Sequence, residues 1–315
     1  MHNYEHITRV KDRIEERRLR AIAEADARGE EIRTLSEKIR NIDKELRTTG
    51  LQLFKAACAG EDITPIKERN QLLLSEKRAE LKRLGYPEDY TEVHYFCPDC
   101  SDTGFIDGTG ICHCYREELI RERIAASGMG KLLERQSFDN FDLKFYSYDS
   151  DVYAKMKANL AAAKSYVANF KNRRDNLLLI GKTGTGKTHI SSAIAREIIN
   201  LGYDVVYDST QNIISDFEAD KWKSGYGDEV RSDKYVECDL LIIDDLGTEF
   251  SSQFTVSCLY NLLNTRQNRG LATIISTNLS AGELAKKYED RIYSRIIGAG
   301  CRVLVFEGMD RRISG

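Results

Sequence analysis

Apolar residues recur with two different periods along this chain, and the change between them falls near residue 150. From Ile32 they run Ile32, Leu35, Ile39, Ile42 and Leu46 in alternating steps of three and four, the a/d seam of a coiled-coil hairpin or a helical bundle. The stretch from residue 9 to about 84 reads as helical, with Gly50 loosening the pattern. A later helix opens with Thr64 and Pro65, a cap residue followed by proline at the first helical position, and closes at Gly85 with Pro87 beyond. Tyr115 to Ala126 reads as another short helix, and Gly128 and Gly130 mark a linker. Beyond residue 150 the apolar runs are NLLLI at 176–180, YDVVY at 203–207, DLLIID at 239–244, LATIIST at 271–277 and RVLVF at 302–306. Continuous apolar strands separated by helical segments predict an α/β fold with a parallel five-stranded sheet covered on both faces.

At 315 residues the chain exceeds one ordinary domain. The pattern divides it into a helical N-terminal region at 1–90 for partner binding, a small module and linker at 91–130, and an α/β domain at 131–315. The net charge of -3 gives no global basic field, so contact with nucleic acid requires a local stripe. Over residues 1 to 96 basic and acidic side chains match one for one, which suits a protein partner better than phosphates; a solvated helical spacer is the plainer reading. No apolar run approaches the roughly 18 residues of a membrane span, and the N-terminus is too polar for a secretory signal, so a cytoplasmic protein with no membrane contact is expected.

Gly181, Gly184, Thr185, Gly186, Lys187 and Thr188 fit G-x-x-x-x-G-K-[ST], directly after the strand NLLLI and opening the helix THISSAIAREIIN. In that setting backbone N–H groups wrap the phosphates of ATP, Lys187 reaches the terminal ones, and the Thr188 hydroxyl ligates Mg²⁺. Asp244 and Asp245 end the third strand: the first acid is placed for the Mg²⁺ shell, the second to orient and activate the attacking water. Ser276, Thr277 and Asn278 end the fourth strand at the sheet edge where ligands bind, so Thr277 or Asn278 is expected at the γ-phosphate or the water. Downstream, Arg291 and Arg295 lie four apart on one helix face, where they serve either a neighbouring subunit's ATP site or ion pairs with acids such as Glu289.

The eight cysteines separate into Cys97, Cys100, Cys112 and Cys114, and the scattered Cys58, Cys238, Cys258 and Cys301. The first four form a C-x-x-C and a C-x-C pair, enough thiolates for a closed Zn²⁺ site, with His113 an alternative to one neighbour. A structural zinc explains how the Asp/Gly-rich loop 101–111 is ordered without a core.

GKTGTGKTH, LLIIDDLGTE, IISTNLS, RIYSRI and the closing FEGMDRR together resemble the bacterial helicase-loader family of DnaC and DnaI and the related IstB transposition ATPases, over roughly residues 95 to 315. The resemblance implies a P-loop AAA+ domain with a truncated lid, with Arg295 as arginine finger and Arg312 or Arg311 as a second arginine sensor. It implies a weak ATPase used as a switch, a DnaB-type replicative DNA helicase as partner, single-stranded DNA as ligand, and self-assembly through the ATP site. DnaI-like loaders also carry an N-terminal zinc module that engages the helicase. Residues 209 to 223 occupy the place of a channel-lining helix: Asp216, Glu218 and Asp220 oppose phosphate there, Lys221, Trp222 and Lys223 favour it, and Ile213, Ile214 and Phe217 suit burial. A transposition or phage adaptor is the alternative function. A small-molecule P-loop kinase fits less well, because no acceptor pocket or arginine-bearing lid is evident.

Overall fold

A computed structural model describes residues 2–106, 110–221, 230–298 and 300–310, excluding the side chains of residues 2–5, 289 and 291. Contacts group the chain into two bodies, residues 9–116 and residues 1–8 with 117–315.

The heptad seam is cut at Ser36. Helix α1 (His2–Leu35) ends there and α2 (Glu37–Ala59) begins, because Ser36 leaves the helical region at φ -130° and its hydroxyl accepts from the Ile39 amide at 3.3 Å. Ile32 and Ile39 stay buried, packed with Leu81, while Leu35 beside the break is 59% exposed. Gly50 lies inside α2 with nothing within 4 Å of the position a Cβ would take, so the helix continues through it. Gly60, at φ 71°, turns the chain into α3 (Thr64–Arg83), which has Pro65 in its first turn. Several of the balanced charges of this body pair with one another. Asp43 takes Arg33 at 3.3 Å and Lys77 at 2.9 Å, and Glu45 takes Arg69 at 2.7 Å. The cysteine segment is a two-stranded antiparallel hairpin of β1 (Phe105–Ile106) and β2 (Gly110–Ile111), followed by α4 (His113–Ala126). Buried Asp102 fastens it. Its carboxylate accepts from the Phe96 and Cys97 amides at 2.8 and 3.0 Å, and it pairs with Arg17 of α1 at 3.0 Å.

In the second body α5 (Gly130–Arg135), a 3-10 turn (Leu143–Tyr146) and α6 (Ser150–Asn169) lead into the sheet. The alternation is then β3 (Leu177–Gly181), α7 (Lys187–Asn200), β4 (Val205–Ser209), α8 (Thr210–Lys221), α9 (Asp233–Glu237), β5 (Leu240–Leu246), α10 (Gln253–Asn268), β6 (Ala272–Thr277), α11 (Ala281–Ile296) and β7 (Arg302–Phe306). The five strands lie in the order β4-β5-β6-β3-β7, every pair parallel. Alternate strand residues feed two apolar layers. Leu177, Leu179, Leu240 and Ile242 join α6 and α7, while Leu178, Leu241, Ile243 and Ile275 join α10 and α11. This is the expected sheet, with helices on both faces. No helix among the described residues is long and apolar enough to cross a membrane.

Candidate nucleotide site and cysteine centre

The carboxyl ends of β3, β5 and β6 meet at one cavity of about 450 Å³, lined by Gly184, Gly186, Lys187 and Thr188 from the loop and helix after β3, by Asp244 and Asp245 of β5, and by Asn278 beyond β6. This is the edge at which parallel sheets bind ligands. Gly184 and Gly186 hold φ values of 76° and 99°, in the left-handed region where a side chain is strained. Thr185 is buried with its hydroxyl on the Lys182 carbonyl at 2.8 Å, and Tyr146 donates to the Thr185 carbonyl at 2.9 Å. The loop is thus braced from beneath. Lys187 is 5% exposed, and its ammonium donates to the carbonyls of Gly181 at 2.6 Å and Lys182 at 2.9 Å and to Asn278 Oδ1 at 2.6 Å.

Asp244 accepts on Oδ1 from the Ser276 hydroxyl and on Oδ2 from the Tyr207 hydroxyl, both in short hydrogen bonds. Burial, followed by the facing Asp244 carboxylate, raises the Tyr207 phenol above its ordinary pKa. Asp245 sits at φ 53°, a conformation that costs a non-glycine residue about 1 to 3 kcal/mol. Its amide donates to Ser276 Oγ at 3.0 Å, and Asn278 Nδ2 approaches its carboxylate at 3.4 Å. Thr277 is fully buried, with its hydroxyl donating to the Leu246 carbonyl at 2.7 Å, so Asn278 is the residue of that pair on the cavity wall. Tyr207 and Ser276 are participants that motif reading did not assign. Each is a polar residue at or near a strand end, and only the register between strands brings them to Asp244.

Arg295 of α11 is directed elsewhere. It donates to Gln267 Oε1 at 3.2 Å and lies 5.9 Å over the Tyr260 ring, outside the cavity lining. The side chain of Arg291, Trp222 with Lys223, and Arg311 with Arg312 lie outside the described residues. Two of the three acids on α8 are internally engaged, and Glu218 is exposed. Asp216 meets Tyr235 at 2.7 Å and Lys234 at 2.9 Å, and Asp220 accepts from the Arg231 and Ser232 amides at 3.0 and 2.7 Å. Ile213 and Ile214 are buried.

The four sulphurs of Cys97, Cys100, Cys112 and Cys114 are buried and lie within 4.8 Å of one another. Cys97 and Cys112 are 3.7 Å apart, and Cys100 and Cys114 are 3.5 Å apart. Tetrahedral bonds of about 2.3 Å place sulphurs about 3.8 Å apart, so the donor set fits zinc. Burial raises the Cys100 thiol, but the Gly104 amide at 3.4 Å and the facing thiols outweigh it and bring it down to about 7. His113 is exposed, 3.5 Å from the Asp99 carboxylate and 3.5 Å from the Cys112 sulphur.

The sequence pattern of the family described as IstB-like ATP binding protein matches residues 114–298, more than half of the chain. The chain belongs to that family. As an IstB-like ATP-binding protein it belongs to the family that its motifs resemble, and that resemblance is borne out. One relative of this IstB-like chain is the replicative helicase loader DnaC of Escherichia coli strain K12, 27% identical over 170 residues, which cover 54% of this chain and 66% of DnaC. The chain therefore spans just under two thirds of that relative. Another is the chromosomal replication initiator protein DnaA of Helicobacter hepaticus, 28% identical over 152 residues, 48% of this chain and 33% of DnaA. Among solved structures, the crystal structure of the DnaC helicase loader aligns with a TM-score of 0.49 at 21% identity, covering 56% of this chain and 99% of that one.

Proposed function

We propose that this protein is an ATP-dependent loader of a DnaB-type replicative helicase, with ATP binding and slow hydrolysis acting as its switch. One observation carries the reading: Lys187, Thr188, Asp244, Asp245 and Asn278 share a single cavity in a chain whose relatives include DnaC. Lys187 exchanges its bonds to loop oxygens for the terminal phosphates. Thr188 and Asp244 supply hard oxygen donors suited to Mg²⁺, which neutralises phosphate charge when bound. Asp245 orients and activates the water, and Asn278 steadies both the lysine and that acid. Arg295, directed away from its own cavity, serves that of a neighbouring copy, where an arginine finger contributes roughly 10³- to 10⁵-fold in rate. Arg312 or Arg311 senses the γ-phosphate.

Cys97, Cys100, Cys112 and Cys114 hold structural zinc, and the body at residues 9–116 grips the helicase. The stretch from α8 to residue 223 meets single-stranded DNA. Lys234 pairs with Asp216 and offsets its charge there, while Glu218 is exposed, so contact with phosphates falls to Lys221 and Lys223. The family pattern itself favours a second reading, a transposition or phage adaptor with a transposase in place of the helicase.

Native mass spectrometry of the full chain with the replicative helicase of its own organism, in ATP and in ADP, separates these. A complex that depends on the nucleotide and is lost in Lys187→Ala supports the loader. Absence of a complex in either nucleotide moves the assignment to the adaptor. Within the site, Asp245→Asn is expected to lower turnover by about 10² or more while leaving ATP binding intact; equal turnover would remove the role given to Asp245.

A further inference from the structure

Asp244 and Asp245 are consecutive residues of one strand, and side chains at consecutive positions of a regular strand leave opposite faces of the sheet. Both nevertheless line the same cavity. The register of β5 against β6 explains this. Ile243 pairs with Ile275 and Leu246 with Thr277, so Asp244 and Asp245 together face one residue of β6, Ser276. The result is a β-bulge, rare between parallel strands and frequent beside active sites. Its distortion is taken up at Asp245, the residue with the positive φ of 53°. Along the other edge of β5 the pairing with β4 runs without a slip to Ser209 opposite Asp244.

A bulge leaves backbone groups without ladder partners. The Ser276 hydroxyl fills that gap, accepting from the Asp245 amide at 3.0 Å and donating to Asp244 Oδ1. Ser276 is fully buried and absent from the cavity wall, so it touches the acids and not the nucleotide space. Its one hydroxyl joins the backbone of one acid to the carboxylate of the other.

We propose that Ser276 is the positioning residue of the hydrolytic site, clamping the bulge so that Asp244 and Asp245 face the cavity together. The inference rests on the roles given above to those two acids. Without the hydroxyl, Asp244 loses its Oδ1 donor, the Asp245 amide loses its acceptor, and no side chain links the two acids across the bulge. Nucleotide contacts of the loop after β3 stay in place, because Ser276 makes none of them.

The test uses the full chain and three readouts. Ser276→Ala is expected to lower kcat by roughly tenfold or more while the affinity for a fluorescent ATP analogue in EDTA changes by less than about twofold. The Mg²⁺ concentration at the midpoint of the metal-dependent binding signal rises severalfold, and Ser276→Thr, which keeps the hydroxyl, recovers both values. In a double-mutant cycle at saturating Mg²⁺, Ser276→Ala costs little further turnover once Asp245 is Asn, whereas a general loss of stability would multiply the two effects. Should Ser276→Ala fail to fold, Ser276→Cys, near in size and a weak donor, carries the same comparison. Wild-type kcat with a wild-type Mg²⁺ midpoint, or fully multiplicative losses, overturns the proposal. Equal turnover by wild type and Asp245→Asn would instead remove the catalytic role of Asp245; the Mg²⁺ midpoint then still decides whether Ser276 orients Asp244, and an unchanged midpoint rejects it.

Discussion

Gly181 closes β3 with its Cα against the backbone of β7. A Cβ at that position would meet the Phe306 carbonyl oxygen at 2.3 Å and the Phe306 Cβ at 2.8 Å. Unlike Gly184 and Gly186, Gly181 is absent from the positive-φ residues, so close approach alone demands glycine here. Gly181→Ala is expected to separate the two strands beneath the nucleotide loop and to cost about 1 to 3 kcal/mol, the usual penalty of overpacking, read as a lower Tm together with weaker ATP binding. A wild-type Tm and affinity would show that β7 gives way without cost. At this scale motif spacing identified Gly181, Lys187, Asp244 and Asp245, because phosphate and metal chemistry restricts the residue type at each position. It left Thr277 and Asn278 as alternatives, since only the direction of each side chain distinguishes a buried hydroxyl from a cavity-facing amide. Ser276 stood in the polar strand end without a role and Tyr207 was unmarked, because their contacts with Asp244 arise from strands distant in sequence.

Among the elements, the loop after β5 is pinned to α11 by a buried acid. Glu249 accepts from the Gly247 amide at 2.8 Å and in a short bond from the Tyr288 hydroxyl, and it pairs with Lys287 at 3.2 Å. Burial alone raises a carboxyl pKa, but here the bonds from Tyr288, the backbone and Lys287 outweigh it and hold Glu249 below its ordinary value. A depressed folded-state pKa contributes stability above the unfolded value of about 4.3 and loses it as pH falls through the folded value. Glu249→Gln should therefore be less stable than wild type at pH 7, by about 1 to 3 kcal/mol, and the gap should narrow as the pH falls below about 4. Denaturant unfolding at several pH values measures it, and a gap independent of pH would reject the charge as its source. The five strands were legible because buried parallel strands are continuous apolar runs. The cut at Ser36 was not, because Ile32, Leu35, Ile39 and Ile42 keep their spacing across a residue that caps a new helix.

At the scale of the whole molecule, the body at residues 9–116 combines ion pairs such as Lys77 with Asp43 and four convergent thiols. Structural zinc in such a module carries roughly 10 to 16 kcal/mol of apparent binding energy. Elemental analysis of the purified chain should give one zinc per molecule, and Cys97→Ser with Cys100→Ser should abolish it and selectively increase amide exchange around Asp102 and the β1–β2 hairpin. A metal-free wild type would leave that hairpin to its hydrogen bonds alone. Spacing located the thiols and left His113 as an alternative to one neighbour; in three dimensions four buried sulphurs converge, and the exposed imidazole forms a second donor set with Asp99 and Cys97.

The bonds of Lys187 have a consequence for how an arriving nucleotide is felt elsewhere. The ammonium already has three oxygen partners, so a phosphate gains it by displacing one of them, and the sole side chain among the three is Asn278. Asn278 also approaches Asp245, and two residues later Ser280 caps α11, the helix that carries Arg295. A phosphate that takes the lysine from its loop carbonyls leaves the Asn278 bond in place, so one amide joins the cation that meets the nucleotide to Asp245 and to the root of that helix, and both ends of the cavity share a single side chain.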